Sequence, residues 1–169
     1  MTETLAEFFV QTLGGKVSSE IIAFVVSMLP ILELRGGLIA AKFMDIEFFR
    51  AFAICFIGNL LPIPFILFFI RKIFDLLKKN EKLGKIIIKI EEKSLAKADN
   101  VRKYKLWGLF LFVAIPLPGT GAWTGALIAD LLNIRIKDSF LTIIAGVFVA
   151  GLIISALSYG LIGLIQNAF

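Results

Sequence analysis

The sequence predicts an all-α integral membrane protein, and three observations predict it. Hydrophobic residues make up 59% of the chain, against roughly 45–50% in ordinary soluble domains. They are gathered into four runs, 21–41, 51–70, 106–129 and 139–169, of which only the first carries charge, at Glu33 and Arg35. Each run reaches the ~20 helical residues that cross a hydrocarbon core, and lipid leaves backbone amides no partner except their own helix. The charge is also segregated: twelve of the eighteen Lys and Arg fall in 71–105. A cationic segment beside membrane helices marks the cytoplasmic side, because positive loops resist translocation.

These features exclude most soluble functions. The net charge of +5 is placed as a topology signal, so no nucleic-acid partner is expected. The chain has no histidine and one cysteine, Cys55, inside an uncharged run. That removes Ser-His and Cys-His nucleophile pairs, His-based zinc sites and an intrachain disulfide. Neither an enzyme nor a metal or other cofactor is expected. Met1–Gln11 has no Lys or Arg to form a signal-peptide n-region.

Along the chain, Leu5, Phe8, Phe9 and Leu13 recur at helical spacing opposite Glu3, Glu7 and Gln11, which predicts an interfacial amphipathic helix over 1–17. Gly14-Gly15 ends it, and Ser18-Ser19 caps the next helix. The first run is ten residues to Leu29, then Pro30 and Ile-Leu-Glu-Leu-Arg-Gly-Gly to Gly37; the third is ten residues to Ile115, then Pro116-Leu-Pro-Gly-Thr-Gly to Gly121. Ten helical residues climb ~15 Å, half the hydrocarbon thickness, so both breaks are expected near the midplane. The other two runs, 47–70 and 139–165, read as continuous spans, the first kinked at Pro62-Ile63-Pro64.

The halves match at an offset of 88 residues, which pairs Pro30 with Pro118, Gly37 with Gly125, Ala41 with Ala129, Ile46 with Ile134, Phe52 with Phe140 and Gly58 with Gly146. The expected organisation is one membrane domain, with repeats at 18–70 and 106–169 around the basic 71–105. Interrupted segments at corresponding positions of two halves point to a transporter substrate site. If each broken run is a re-entrant hairpin, the repeat is inverted, with 14 Lys/Arg inside and 3 outside. Four full spans give 13 and 4, so loop charge favours the hairpins.

Glu33 and Arg35 are costly in lipid and are expected to face a protein interior or wet cavity. They serve either as an ion pair fixing the tip or in transport, with Glu33 as a proton carrier. Pro30, Gly36 and Gly37 shape that tip. The second tip, Pro116, Pro118, Gly119, Thr120 and Gly121 with Trp123 and Thr124, is rich in backbone donors and hydroxyls that suit an anionic group, or else in small residues that let arms approach. Lys42 and Asp130 are secondary candidates at the membrane interface. In 71–105, Leu83, Ile86, Ile87, Ile90, Ala98 and Val101 form a stripe opposite Lys82, Lys85, Lys89, Lys93 and Lys97, fit either to pack on the protein or to rest on anionic headgroups.

Pro-Ile-Leu-Glu-Leu-Arg-Gly-Gly at 30–37, followed by Ala40-Ala41, and Pro-Leu-Pro-Gly-Thr-Gly-Ala-Trp-Thr-Gly at 116–125 resemble the small multi-drug export family, itself similar to the wider DedA-like membrane proteins. The resemblance implies paired re-entrant hairpins, inverted symmetry and, for some DedA-like members, movement of lipids such as undecaprenyl phosphate. DedA-like proteins carry arginine in the second hairpin, whereas no Lys or Arg lies between Lys105 and Arg135 here.

The expectation is a small secondary transporter of the plasma (inner) membrane, exporting small amphipathic compounds through a midplane site between the two hairpins. A lipid-phosphate flippase is the second reading and a scaffold recruiting partners through 71–105 the third. Expected partners are the bilayer, the amphipathic molecule or lipid phosphate, protons, and a second copy of the chain. Gly146, Ala150, Gly151, Ser155, Ala156 and Gly160 offer that copy a small-residue contact.

Overall fold

Pro30, Pro62 and Pro116 each fall in an interruption between two helices of this chain. The computed structural model describes residues 18–161; the interfacial helix expected at 1–17 lies outside them. Among the described residues there is no strand. The helices are α1 Ser19–Met28, α2 Glu33–Phe43, α3 Phe48–Leu60, α4 Ile63–Leu77, α5 Glu81–Leu95, α6 Asp99–Tyr104, α7 Leu106–Ala114, α8 Ala122–Leu131 and α9 Ile136–Ser155, which passes into a π-helical stretch Ala156–Leu161. Both expected breaks are present, just after Met28 and Ala114. Pro62 and Pro64 each lack an amide donor, and the turn dividing α3 from α4 falls there, at Leu61-Pro62. Ser18 is the N-cap of α1, but its side chain makes no capping bond; its carbonyl accepts from Ile21 and Ile22 instead. Two helical stretches, Phe48–Leu77 and Ile136–Gly160, are long and apolar enough to cross a membrane.

The described residues form two compact units, 18–62 with 147–161, and 63–146. In the first, α1 packs against α2 around Ile22, Val26, Leu32 and Ala40. Gly37 is what lets the arms touch, since a Cβ there would strike Ser27 of α1 and Cys55 of α3. Gly58 does the same for α3, where a Cβ would lie 2.7 Å from the Phe24 carbonyl oxygen. Phe148 closes this unit edge-on against Phe52 and Phe56, with ring centroids 5.7 and 6.1 Å away.

In the second unit, Phe74 of α4, Ile87 of α5 and Leu127 of α8 make a common core. Gly125 faces α7, where a Cβ would lie 2.7 Å from Val113 Cγ2, and Gly146 of α9 meets the same valine at 2.8 Å from its Cβ. The basic segment is largely helical: α4 runs through Arg71 and Lys72 to Leu77, and α5 and α6 fill most of the rest. Its apolar stripe divides. Ile87, Ala98 and Val101 are buried, while Leu83, Ile86 and Ile90 are exposed.

The offset of 88 carries into the backbone. α2 ends at Phe43 and α8 at Leu131, α3 opens at Phe48 and α9 at Ile136. Between them Asp45 and Asn133 are left-handed, φ 54° and 55°. Ile46 N–H donates to Ala41 O at 3.0 Å, and Ile134 N–H to Ala129 O at 2.9 Å, the six-residue closure of a Schellman cap. The small residues offered for a contact between copies are largely used within the chain. Gly146 is filled by Val113 and Gly151 by Phe52 and Leu34, whereas Gly160 meets nothing within 4 Å.

Candidate functional site

The first break is four residues, Leu29–Leu32, with Pro30 at its exposed corner. Leu32 and Glu33 N–H both turn back to Leu29 O, at 3.2 and 2.8 Å. That turn brings Glu33 in with φ 49° and leaves it 4% exposed at the head of α2. A non-glycine residue held left-handed costs of order 1–2 kcal/mol and persists only where its surroundings fix it. Arg35, half-buried, follows on the same turn. Gly36 and Gly37 do packing work: a Cβ on Gly36 would lie 2.6 Å from Leu32 Cβ. Lys42, at the far end of α2, sits 5.3 Å from the Tyr159 ring centroid, and Tyr159 Oη donates to Ile46 O at 3.1 Å.

The second break is longer, Ile115–Gly121, with Gly119 at φ 77° and Gly121 at φ 137°. Pro116 is half-buried; Pro118 and Gly119 are exposed. Thr120 Oγ1 accepts from Leu117 N–H at 3.1 Å and lies 2.9 and 2.8 Å from the Ile115 and Leu117 carbonyl oxygens, either of which its proton can reach. Its hydroxyl thus shapes the loop. Trp123 and Thr124 are half-buried on the first turn of α8. Lys97, between α5 and α6, donates from Nζ to Gly119 O at 3.2 Å. The tip that is uncharged in sequence therefore receives an ammonium from the basic segment.

At the other end of α8, Asp130 is held by Arg71 of α4. Arg71 Nε lies 3.3 Å from Asp130 Oδ2, Nη2 donates to Asp130 O, and Nη1 donates to Asn133 Oδ1 at 3.0 Å. Asp130 and Lys42, 88 residues apart, are thus each held near the end of their helix, one by an ion pair and one over an aromatic ring. No group of His, Cys, Asp and Glu that would hold a metal occurs among the described residues.

Residues 33–153, more than half of the sequence and beginning at Glu33 itself, match the family described as Putative small multi-drug export protein. The chain belongs to this family. It is a membrane protein, with helical stretches of 30 and 25 residues fit to cross a bilayer. No curated protein and no solved structure matches it. The stretch shared with the family holds Glu33, Arg35 and the whole second tip, and also Lys97, Arg71 and Asn133, which sequence reasoning missed. Lys97 falls in the lysine face of an amphipathic pattern, where nothing in spacing separates it from its solvated neighbours. Arg71 and Asn133 are 62 residues apart and meet only through the packing of α4 on α8.

Proposed function

We propose that the chain is a small secondary transporter of the plasma membrane that exports small amphipathic compounds, driven by protons, and performs no chemistry on them. It crosses the membrane more than once, with 71–105 on the cytoplasmic side. The observation that carries this reading is Glu33: a carboxylate 4% exposed, at a helix break in an apolar run, in a backbone conformation that favours glycine. Ionisable groups at such depth are expensive and mark transport pathways. The common offset of the two hairpins supports reading them as re-entrant copies of one element.

Purified chain in liposomes, loaded with an amphipathic cationic dye and given an inward proton gradient, tests it. Wild type expels dye in step with proton uptake. Glu33→Gln leaves the fold intact and abolishes proton-driven efflux, and Arg35→Ala abolishes efflux altogether. Undiminished efflux by Glu33→Gln would remove the carboxylate from the mechanism.

A lipid-phosphate flippase of DedA-like type is favoured by one observation, the Lys97 ammonium at Gly119. It places a cation at the second tip, where the sequence between Lys105 and Arg135 has none. Headgroup exposure of labelled lipid phosphate without aqueous dye flux would select this second reading.

A further inference from the structure

The basic helix α5 presents three surfaces, and only one of them is occupied by protein. At about 100° per residue, Gly84, Ile87 and Ser94 share the buried face, set against α4 and α8. Leu83, Ile86 and Ile90 form a neighbouring stripe, and they are 43%, 56% and 39% exposed. Beyond it, about 90° further round, lie Lys82, Lys85, Lys89 and Lys93, all exposed. The carboxylates of the helix do not cancel them: Glu91 is taken by Lys78 at 2.7 Å, and Glu92 lies at the far edge of the lysine face, with Glu81 in the first turn.

We propose that α5 lies in the headgroup layer of the bilayer and binds anionic phospholipids, with Leu83, Ile86 and Ile90 against acyl chains and the four lysines on headgroup phosphates. An apolar stripe meeting a lysine face at a right angle, on a helix of a membrane protein, matches the boundary between hydrocarbon and anionic headgroups. Water satisfies the lysines but not a stripe of three apolar side chains, and hydrocarbon the reverse; a single exposed one such as Ile88 is ordinary on a surface. The helix is also tied to the second hairpin through Ile87 on Leu127, and the turn that follows it through Lys97 on Gly119. Headgroup binding at α5 therefore holds the loop 115–121, which makes the lipid charge of the leaflet a regulator of the second tip.

The test uses the full chain with Cys55→Ser and a nitroxide on a single cysteine at 86 or 88. Ile88 is 47% exposed but lies on the opposite flank of the helix from Ile86, so it serves as the matched control. The chain is placed in nanodiscs of phosphatidylcholine alone, or with one part in three phosphatidylglycerol. In the anionic discs the label at 86 is relaxed by oxygen several-fold more than by a water-soluble nickel chelate, and the label at 88 shows the reverse. Replacing the four lysines by glutamine makes the two disc types equivalent. Amide exchange at Thr120 and Gly121 is slower in anionic discs, and Lys97→Gln removes that difference while leaving the label at 86 in lipid. Equal access of nickel to both labels would overturn the docking, whether α5 then faces water or an acidic protein. Identical behaviour in the two disc types would overturn the headgroup charge. Tip exchange indifferent to lipid would overturn the coupling.

Discussion

Glu33 and Gly121 occupy the same position of the two halves, 88 residues apart, and both have positive φ, 49° and 137°. One half uses the residue without a Cβ where the chain turns into its second arm. The other keeps a carboxylate there against the conformational preference. We expect Glu33→Gly to fold, with thermal stability within about 1–2 kcal/mol of wild type, because glycine accepts the backbone. Proton-driven efflux should nevertheless vanish. Retained coupling in that variant would show that Glu33 is kept for structure alone.

In the hairpin of the second unit, Gly125 faces Val113 most closely, with Leu109 and Phe112 beside it. Gly125→Ala puts a methyl 2.7 Å from Val113 Cγ2 and should cost about 1–3 kcal/mol as an overpacked core does. Val113→Ala in the same chain makes room and should return part of that loss, so the two changes are non-additive. Denaturation in detergent of the four chains of this cycle measures it; strict additivity would mean the arms do not meet there.

Asp45 and Asn133 share a left-handed backbone but not a role. Asp45→Gly should raise stability by about 0.5–1 kcal/mol, since glycine at that cap costs no steric strain. Asn133→Gly gains the same relief but loses the bond to Arg71 Nη1, 3.0 Å long, so its melting temperature should stay level or fall. An equal gain at both would dissolve the clamp. Arg71 is half exposed, and its pairing with Asp130 should show a coupling of only about 0.5–1 kcal/mol in a double-mutant cycle.

Topology decides between re-entrant hairpins and four spans. With Cys55→Ser and single cysteines at Ser18, Asn100 or Asn133, an impermeant thiol reagent on intact cells should label position 18 alone. Asn133 is exposed in the fold, so a lack of labelling reports its side of the membrane and not burial. Labelling at 133 and not at 18 would mean four full spans, with the breaks at Pro30 and Pro116 reduced to kinks.

The helix breaks, the basic segment and the offset of 88 were legible because each rests on a residue type with one physical meaning. Proline ends a helix, lysine resists hydrocarbon, and glycine at matching positions marks close approach. Pro30, Pro116, Gly37 and Gly125 are where these rules placed them. Contacts set by packing were not legible. The glycines of α9 look alike in sequence, yet Gly146 receives Val113 and Gly151 receives Phe52, so a surface offered to a second copy is used inside the chain. Ile86 and Ile87 are adjacent and equally apolar, and only the fold shows that one is buried and the other bare. Glu33 stood out for its charge, but its strained backbone follows from the turn at Leu29 and from nothing in its own identity.

The unit formed by residues 63–146 is continuous, whereas the other joins 18–62 to 147–161. A ribosome that has made residue 146 has therefore synthesised every residue the first of these contains. The faces of Leu34 and Phe52 that receive Gly151, and the rings of Phe52 and Phe56 that receive Phe148, are still waiting. During synthesis the half that carries Glu33 is thus the last to be completed, and a nascent chain stalled at residue 146 leaves its aromatic ladder without Phe148. Quality control in the membrane would see the two halves differently: one has all its residues before Phe148 is made, the other does not.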